Sequence, residues 1–332
     1  MTVPKLAVKS SGYGGRGYAI PGRTKDSPVT GKPIRDVYPS VTTVLSQVAK
    51  PGLHQWIADQ TAAKAVASLS YLQSVSEEVG MRSLQYFWSS KRDSGREVRN
   101  YFESVRDDAA DLGTNLHEWV EADIDGLMPY PEVDSIEMDE MIEAWLLWFE
   151  FHEVIPHNQE FTCVNDRLKV AGTADADWTI TCLHTPNDRG MYCLGREPGP
   201  YRTLVDLKTS RHTWRENGFQ LAALASCDVV MREVVEGYEG AQKAEKTENG
   251  RKIVSWWVED APPVWERYAL LHIRPDDLDT KGNPIPRFAS LLDRTEDMDV
   301  FMSGFEGALA LTKSEHTLKE RAKARGNETE DI

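Results

Sequence analysis

Thr203-Leu204-Val205-Asp206-Leu207-Lys208-Thr209-Ser210 is the stretch from which the fold class of this chain is read. It has the apolar character of a short strand and ends in a polar turn. Side chains on a strand alternate between faces, so Asp206 and Lys208 share one face and Val205 and Leu207 the other. A buried carboxylate beside an amine is costly unless the two are paired or put to use. Two readings are open from these residues alone. Asp206 and Lys208 close a strand-end ion pair, or Asp206 binds a divalent cation while Lys208 positions or polarises a water.

Working outward, the preceding segment reads as a hairpin. Residues 160–164 and 168–180 flank the polar turn Asn165-Asp166-Arg167. Alternation puts Thr173, Asp175 and Asp177 on one face, and Gly172 admits the close approach of another backbone. Carboxylates on that strand and on the next repel one another unless a cation lies between them. Residues 184–202, rich in Pro, Gly and Asn, read as an irregular connection. Beyond Lys208, residues 213–225 read as a helix of small and apolar residues in which Gln220 is the conspicuous polar member.

Further upstream, Leu112, Leu116 and Val120 recur at four-residue steps and predict a helix over 108–124. His117 and Glu121 lie one turn apart on it. A histidine beside an apolar stripe serves as a packed core residue or, with acidic partners, as a ligand. Residues 135–151 form an amphipathic helix whose stripe of Met138, Met141, Ile142, Trp145, Leu146 and Phe149 is explained by core packing. Ser40 is placed to cap a short helix, and Pro51-Gly52 breaks it before a second helix over 53–67.

The flanks are less patterned. Residues 1–36 read as an irregular arm. Its Ser11-Gly12-Tyr13-Gly14-Gly15-Arg16-Gly17 is not bracketed as a phosphate loop, and no GxxxxGK[ST] occurs, which argues against ATP. Lys91, Arg92, Arg96, Arg99 and Arg106 make 91–106 a basic stretch whose charges belong to a solvated helix face. Residues 236–252 read as a charged, exposed excursion, 252–258 and 267–273 as a strand pair, and 291–311 as a closing helical segment. The expected organisation is an irregular arm (1–36), one domain (37–311) and a flexible tail (312–332). Within the domain, 37–155 is the helical N-terminal part and 105–275 the catalytic core.

The 332 residues are 40% hydrophobic and 27% charged, ordinary for a globular protein with a sizeable core. The run Ala144-Trp145-Leu146-Leu147-Trp148-Phe149 is too short to span a bilayer, and the N-terminus lacks the apolar core of a signal peptide. A cytoplasmic protein with no membrane partner is expected. Cys163, Cys182, Cys193 and Cys227 have no CxxC spacing, which argues against an iron–sulfur or local zinc site. The net charge of −15 weighs against nucleic acid as a partner, although a locally basic groove is compatible with an acidic total.

In this order, His117, Glu160, Gly172-Thr-Ala-Asp175, Asp206-Leu-Lys208-Thr-Ser210 and Gln220 resemble the RecB-like branch of the PD-(D/E)xK nuclease superfamily. The likeness covers about residues 105–230. It includes Gly113-Thr-Asn-Leu-His117 for a family Gly-Thr-x-x-His, and Pro39–Trp56 is similar to phage members. The family's Gln-x-x-x-Tyr is broken, because Leu224 holds the Tyr position. The resemblance implies an α/β protein with a restriction-endonuclease-like core, a central mixed sheet flanked by helices and an N-terminal helical region. It implies a Mg²⁺- or Mn²⁺-dependent DNA exonuclease working in phage recombination, replication or repair, in the host cytoplasm. An annealing protein or helicase partner and an oligomeric state are compatible with it. His117, Asp175, Asp206 and the Leu207 carbonyl are the implied metal ligands. Lys208 is implied to orient the water or stabilise developing charge, and Glu160 and Gln220 to support the site or contact the DNA backbone. Asp177 is an alternative ligand. The competing expectation is a catalytically silent, nuclease-like nucleic-acid-binding or assembly protein.

Overall fold

A computed structural model describes residues 6–8, 15–26, 32–48, 51–73, 98, 100–181, 192–193, 199–248, 251–279 and 281–324. The chain opens with β1 (Ala7–Val8), β2 (Gly17–Asp26), β3 (Pro33–Pro39), α1 (Val41–Leu45) and α2 (Pro51–Ala67). It continues through α3 (Tyr101–Asp125), α4 (Ile136–Phe151), β4 (Ile155–Asn165), β5 (Val170–Ile180), β6 (Tyr192–Cys193), β7 (Tyr201–Lys208) and α5 (Arg215–Ala225). It closes with β8 (Val229–Val234), β9 (Gln242–Glu248), β10 (Arg251–Asp260), β11 (Arg267–Arg274), β12 (Asp277–Leu278), β13 (Pro284–Ile285), β14 (Phe288–Asp293) and α6 (Met298–Ala324).

Among the described residues the centre is a nine-stranded mixed sheet in the order β6-β14-β11-β7-β5-β4-β8-β10-β9. β7 lies between β11, to which it is parallel, and β5, to which it is antiparallel. The protein is therefore α/β, with helices flanking a large mixed sheet. One face is covered by α1, α5 and α6, whose Val44, Leu221, Leu224 and Phe305 pack with Phe161, Ala174, Leu204 and Leu270 of the strands. On the other face Trp145 and Trp148 of α4 pack against Trp178 with their rings tilted. Leu116, Val120, Met138, Met141 and Trp145 of the two predicted stripes are all buried, whereas Leu146 is exposed and Trp148 takes its place in the core. Ser40 caps α1, its hydroxyl accepting from the Thr43 amide at 3.0 Å, and Ser135 caps α4 in the same way at 3.1 Å.

Four expectations are corrected. Residues 1–36 are not simply irregular: β1, β2 and β3 make a three-stranded antiparallel sheet, whose Tyr18, Ile20 and Tyr38 pack on Val164, Ala171, Met231 and Trp257. The apolar surface that Tyr18, Ile20 and Tyr38 bury outweighs the glycines before them. The charged run 236–252 is not a free excursion, because β9 pairs with β10 from Gln242↔Trp257 to Glu248↔Arg251. β10 and β11 are not partners of each other, since β10 joins β8 and β9 whereas β11 joins β7 and β14. Finally, residues 291–311 begin as strand, and the helix that follows runs on to Ala324, well into the expected tail. Thr312 is buried there and its hydroxyl bonds the Ala308 carbonyl.

Residues 49–115 form a compact unit of their own, containing α2 and the first half of α3. Within it Lys64 lies over the Tyr101 ring at 5.1 Å, and Arg106 pairs with its neighbour Asp107. The remainder of the basic stretch, 91–97 and 99, lies outside the described residues, as does Cys182. Among the described residues no helix is long and apolar enough to cross a membrane.

Candidate metal centre

α3 delivers His117, β4 Glu160, β5 Asp175 and β7 the Asp206–Lys208 pair, all in the unit that contains the central sheet. His117 Nδ1 is 3.7 Å from Glu160 Oε1 and 3.9 Å from Asp175 Oδ1. One donor atom from each of the three lies within 4.8 Å of the others, so this trio could hold a metal ion. Two carboxylates this close to one imidazole form a negative focus that favours positive charge. His117 reports that field. Burial alone would lower its pKa, yet Asp175 and Glu160 raise it above the ordinary histidine value. The donor set, one imidazole and two carboxylates, suits a hard or borderline divalent cation.

The strand that opened the sequence reading supplies the rest. Lys208 Nζ is 2.5 Å from Asp206 Oδ2 and donates to the Leu207 carbonyl at 3.0 Å. Gln220 of α5 donates to the other Asp206 oxygen at 3.2 Å. Asp206 is 1% exposed. Burial lifts its carboxyl to about 6, with Asp175 adding to the rise and Lys208 and His117 opposing it. Burial would also lower Lys208, but Asp206, Asp175 and Glu160 hold it above the usual lysine value, so it stays charged. The two readings of Asp206-Leu-Lys208 therefore meet in one arrangement: an ion pair set against a candidate cation site.

Local backbone geometry explains how β5 and β7 can do this. Their ladder runs from Ile180↔Tyr201 to Ala176↔Val205 and stops there. One step further on, Asp175 Oδ2 accepts the Leu207 amide at 2.6 Å, so a side chain replaces the lost ladder bond. Across β4, the pairs Gln159↔Ala176 and Phe161↔Ala174 bracket Glu160, whose φ is +45°. Left-handed backbone in a non-glycine residue costs about 1–3 kcal/mol and gathers at functional sites. The pleat also slips here. Ala174 and Asp177, three residues apart, both reach the core beneath α5 and α6, Asp177 through the Trp265 indole. Asp175 and Asp177 consequently do not share a face.

That slip gives Asp177 a different role from the one alternation suggested. It is fully buried, and its oxygens accept from Arg202 Nε and Nη2, Asn158 Nδ2 and Trp265 Nε1 at 2.7–3.0 Å. Four donors leave it no capacity for a metal. Gly172 proves to be a packing position: a Cβ there would stand 2.8 Å from Leu224 Cδ2 and 3.2 Å from Val41 Cγ2. Leu224, in the position where Tyr was expected, fills that space and is buried.

No protein-family model and no curated protein matches the chain. The structure brings His117, Glu160 and Asp175 together as one donor group and links Asp206, Leu207, Lys208 and Gln220 to it through the Asp175–Leu207 bond. It puts Glu160 among the converging donors and Asp206 outside that trio, and the Leu207 carbonyl accepts from Lys208. Sequence reasoning did not find Arg202, Asn158 or Trp265, because they come from three separate segments with no common spacing. It also passed over Tyr18, whose hydroxyl shares a 2.9 Å hydrogen bond with Thr173, two residues before Asp175.

Proposed function

We propose that this chain is a divalent-metal-dependent DNA exonuclease of the RecB-like PD-(D/E)xK kind, hydrolysing phosphodiester bonds in recombination, replication or repair. The observation that carries the reading is convergence. His117, Glu160, Asp175, Asp206, Lys208 and Gln220, spread over a hundred positions of sequence, lie in one connected cluster. Carriage of Asp175 and Asp206 on adjacent antiparallel strands of a helix-flanked mixed sheet is what a restriction-endonuclease-like core would supply.

His117, Glu160 and Asp175 would hold the cation, with Asp206 able to join once Lys208 releases it. Mg²⁺ or Mn²⁺ at such a site neutralises phosphate charge and acidifies water; the imidazole favours Mn²⁺. Lys208 is a half-buried, charged donor whose ammonium can move from Asp206 to an attacking water or to a phosphoryl oxygen as negative charge develops. Gln220 keeps the Asp206 carboxylate oriented during that exchange. The test is degradation of end-labelled DNA with Mg²⁺ or Mn²⁺. Wild-type protein should shorten the DNA, and Asp206→Ala or Lys208→Ala should lower the rate by about a hundredfold or more. Equal activity in wild type and Asp206→Ala would remove the reading. The second reading, a silent nuclease-like binder, is favoured by the closed Asp206–Lys208 pair. It would be adopted if calorimetry found no Mn²⁺ binding that depends on Asp175.

A further inference from the structure

The segment that leads from β7 into the first residue of α5 continues directly from Lys208 and reads Thr209-Ser210-Arg211-His212-Thr213-Trp214-Arg215. With Lys208 it carries three fixed cations and no carboxylate, in a chain whose net charge is −15. Trp214 leaves 51% of its surface in water, and His212 is exposed beside it with ring centroids 5.9 Å apart, edge to face. A single exposed indole is unremarkable. What sets this one apart is the stiffness of the loop that holds it.

Side chains of the neighbouring strand bolt the loop down. Arg274 Nη1 donates to the Thr209 carbonyl at 2.6 Å, and His272 Nε2 lies 2.7 Å from the Ser210 carbonyl. A carbonyl only accepts, so Nε2 carries the proton. Arg211 donates to the Leu278 carbonyl at 2.9 Å, and Ser210 Oγ donates to the His212 carbonyl at 2.8 Å. The Trp214 amide donates to Asn217 Oδ1 at 2.7 Å, fixing the backbone at the start of α5. Acidic side chains meet these cations. Asp277 is shared between Arg211 at 3.3 Å and Arg274 at 3.4 Å, Lys208 faces Asp206, and Glu216 follows Arg215. Helix rise places Trp214 about 9 Å along α5 from Gln220, whose amide touches Asp206.

We propose that loop 209–215 is a preorganised platform for single-stranded DNA, on which Trp214 stacks a base while Arg211 meets the phosphate backbone beside the candidate metal centre. Bases present a π-face whatever their identity, so such a platform selects unpaired strand over duplex without reading sequence. The loop is already ordered, so little conformational freedom is lost when the strand arrives. This inference rests on the nuclease reading and adds the form of the substrate, an unpaired end, to it.

The experiment is fluorescence anisotropy of labelled twelve-nucleotide oligonucleotides, one of thymidines and one of abasic sites, in EDTA so that no cleavage occurs. Wild-type protein should prefer the base-bearing strand. Trp214→Ala should weaken thymidine binding by about 5- to 100-fold and abasic binding by less than twofold, while Trp214→Phe retains most of the preference. Arg211→Ala should weaken both oligonucleotides alike. A wild-type protein that binds the two equally, or a Trp214→Ala variant with the wild-type preference, overturns the proposal. Because metal is absent, these outcomes are separate from failure of the nuclease reading, which shows as intact DNA when wild type is incubated with Mn²⁺.

Discussion

Glu160 joins a cost and a use at one residue: its φ of +45° is unfavourable for any side chain with a Cβ, and its carboxylate faces His117. Glu160→Gly should therefore be more stable than Glu160→Ala by about 1 kcal/mol in urea unfolding, and both should lose metal affinity. Asp177 is the opposite case, a carboxylate spent wholly on structure. Asp177→Ala leaves Arg202, Asn158 and the Trp265 indole without their shared acceptor and should cost roughly 3 kcal/mol, again read by urea unfolding. Protons compete with metal at the candidate centre. Asp206 is raised to about 6, chiefly by burial, and His117 is raised by Asp175 and Glu160 against burial. Both groups are protonated more readily than usual, so Mn²⁺ affinity measured by calorimetry should fall as pH drops through 6, by about tenfold per unit once a single proton competes.

At the scale of elements, close packing beneath β5 sets the tolerance of the site. Gly172→Ala would push a methyl into Leu224 and Val41, both buried in the core under α5 and α6. Overpacking of this kind costs about 1–3 kcal/mol, and thermal unfolding should show the loss. The elements that carry the site were legible because each has its own pattern: Leu112, Leu116 and Val120 mark α3, and the short, continuously buried run 203–207 marks β7. What could not be read was the point at which a period breaks. The slip between Ala174 and Asp177 lies beside the left-handed backbone of Glu160 in the neighbouring strand, a tertiary relation with no local signature. The β9–β10 hairpin did have a signal in its Asn249-Gly250 dipeptide, which the surrounding charges obscured. β2 and β3 were hidden in the same way, by the glycine-rich stretch before them.

For the whole molecule, the terminal segments read from sequence as accessories are parts of the core. Arg23 of β2 pairs with Asp166 at 2.6 Å and with Glu259, and Tyr38 of β3 donates to Asp166 at 2.6 Å while Lys169 donates to Tyr38 at 2.8 Å. The pair holds Asp166 below the usual carboxylate range and ties the small sheet to the turn that joins β4 and β5. On the face covered by α4, His152 is fully buried with neither ring nitrogen hydrogen-bonded, beside Trp148. Burial lowers its pKa to about 4. A depressed histidine contributes stability that is complete above the unfolded value of about 6.5 and is lost as pH falls toward the folded value, roughly 3 kcal/mol in all. Urea midpoints should therefore decline between pH 6.5 and 4, and His152→Phe should flatten that decline. The open ladder between β5 and β7 has one more consequence. The Leu207 amide, held by the Asp175 carboxylate and not by a strand partner, is a natural spectroscopic probe: its nitrogen chemical shift and hydrogen-exchange rate should follow occupancy of the cluster, so a titration can be watched from the backbone of the protein with no label on the DNA.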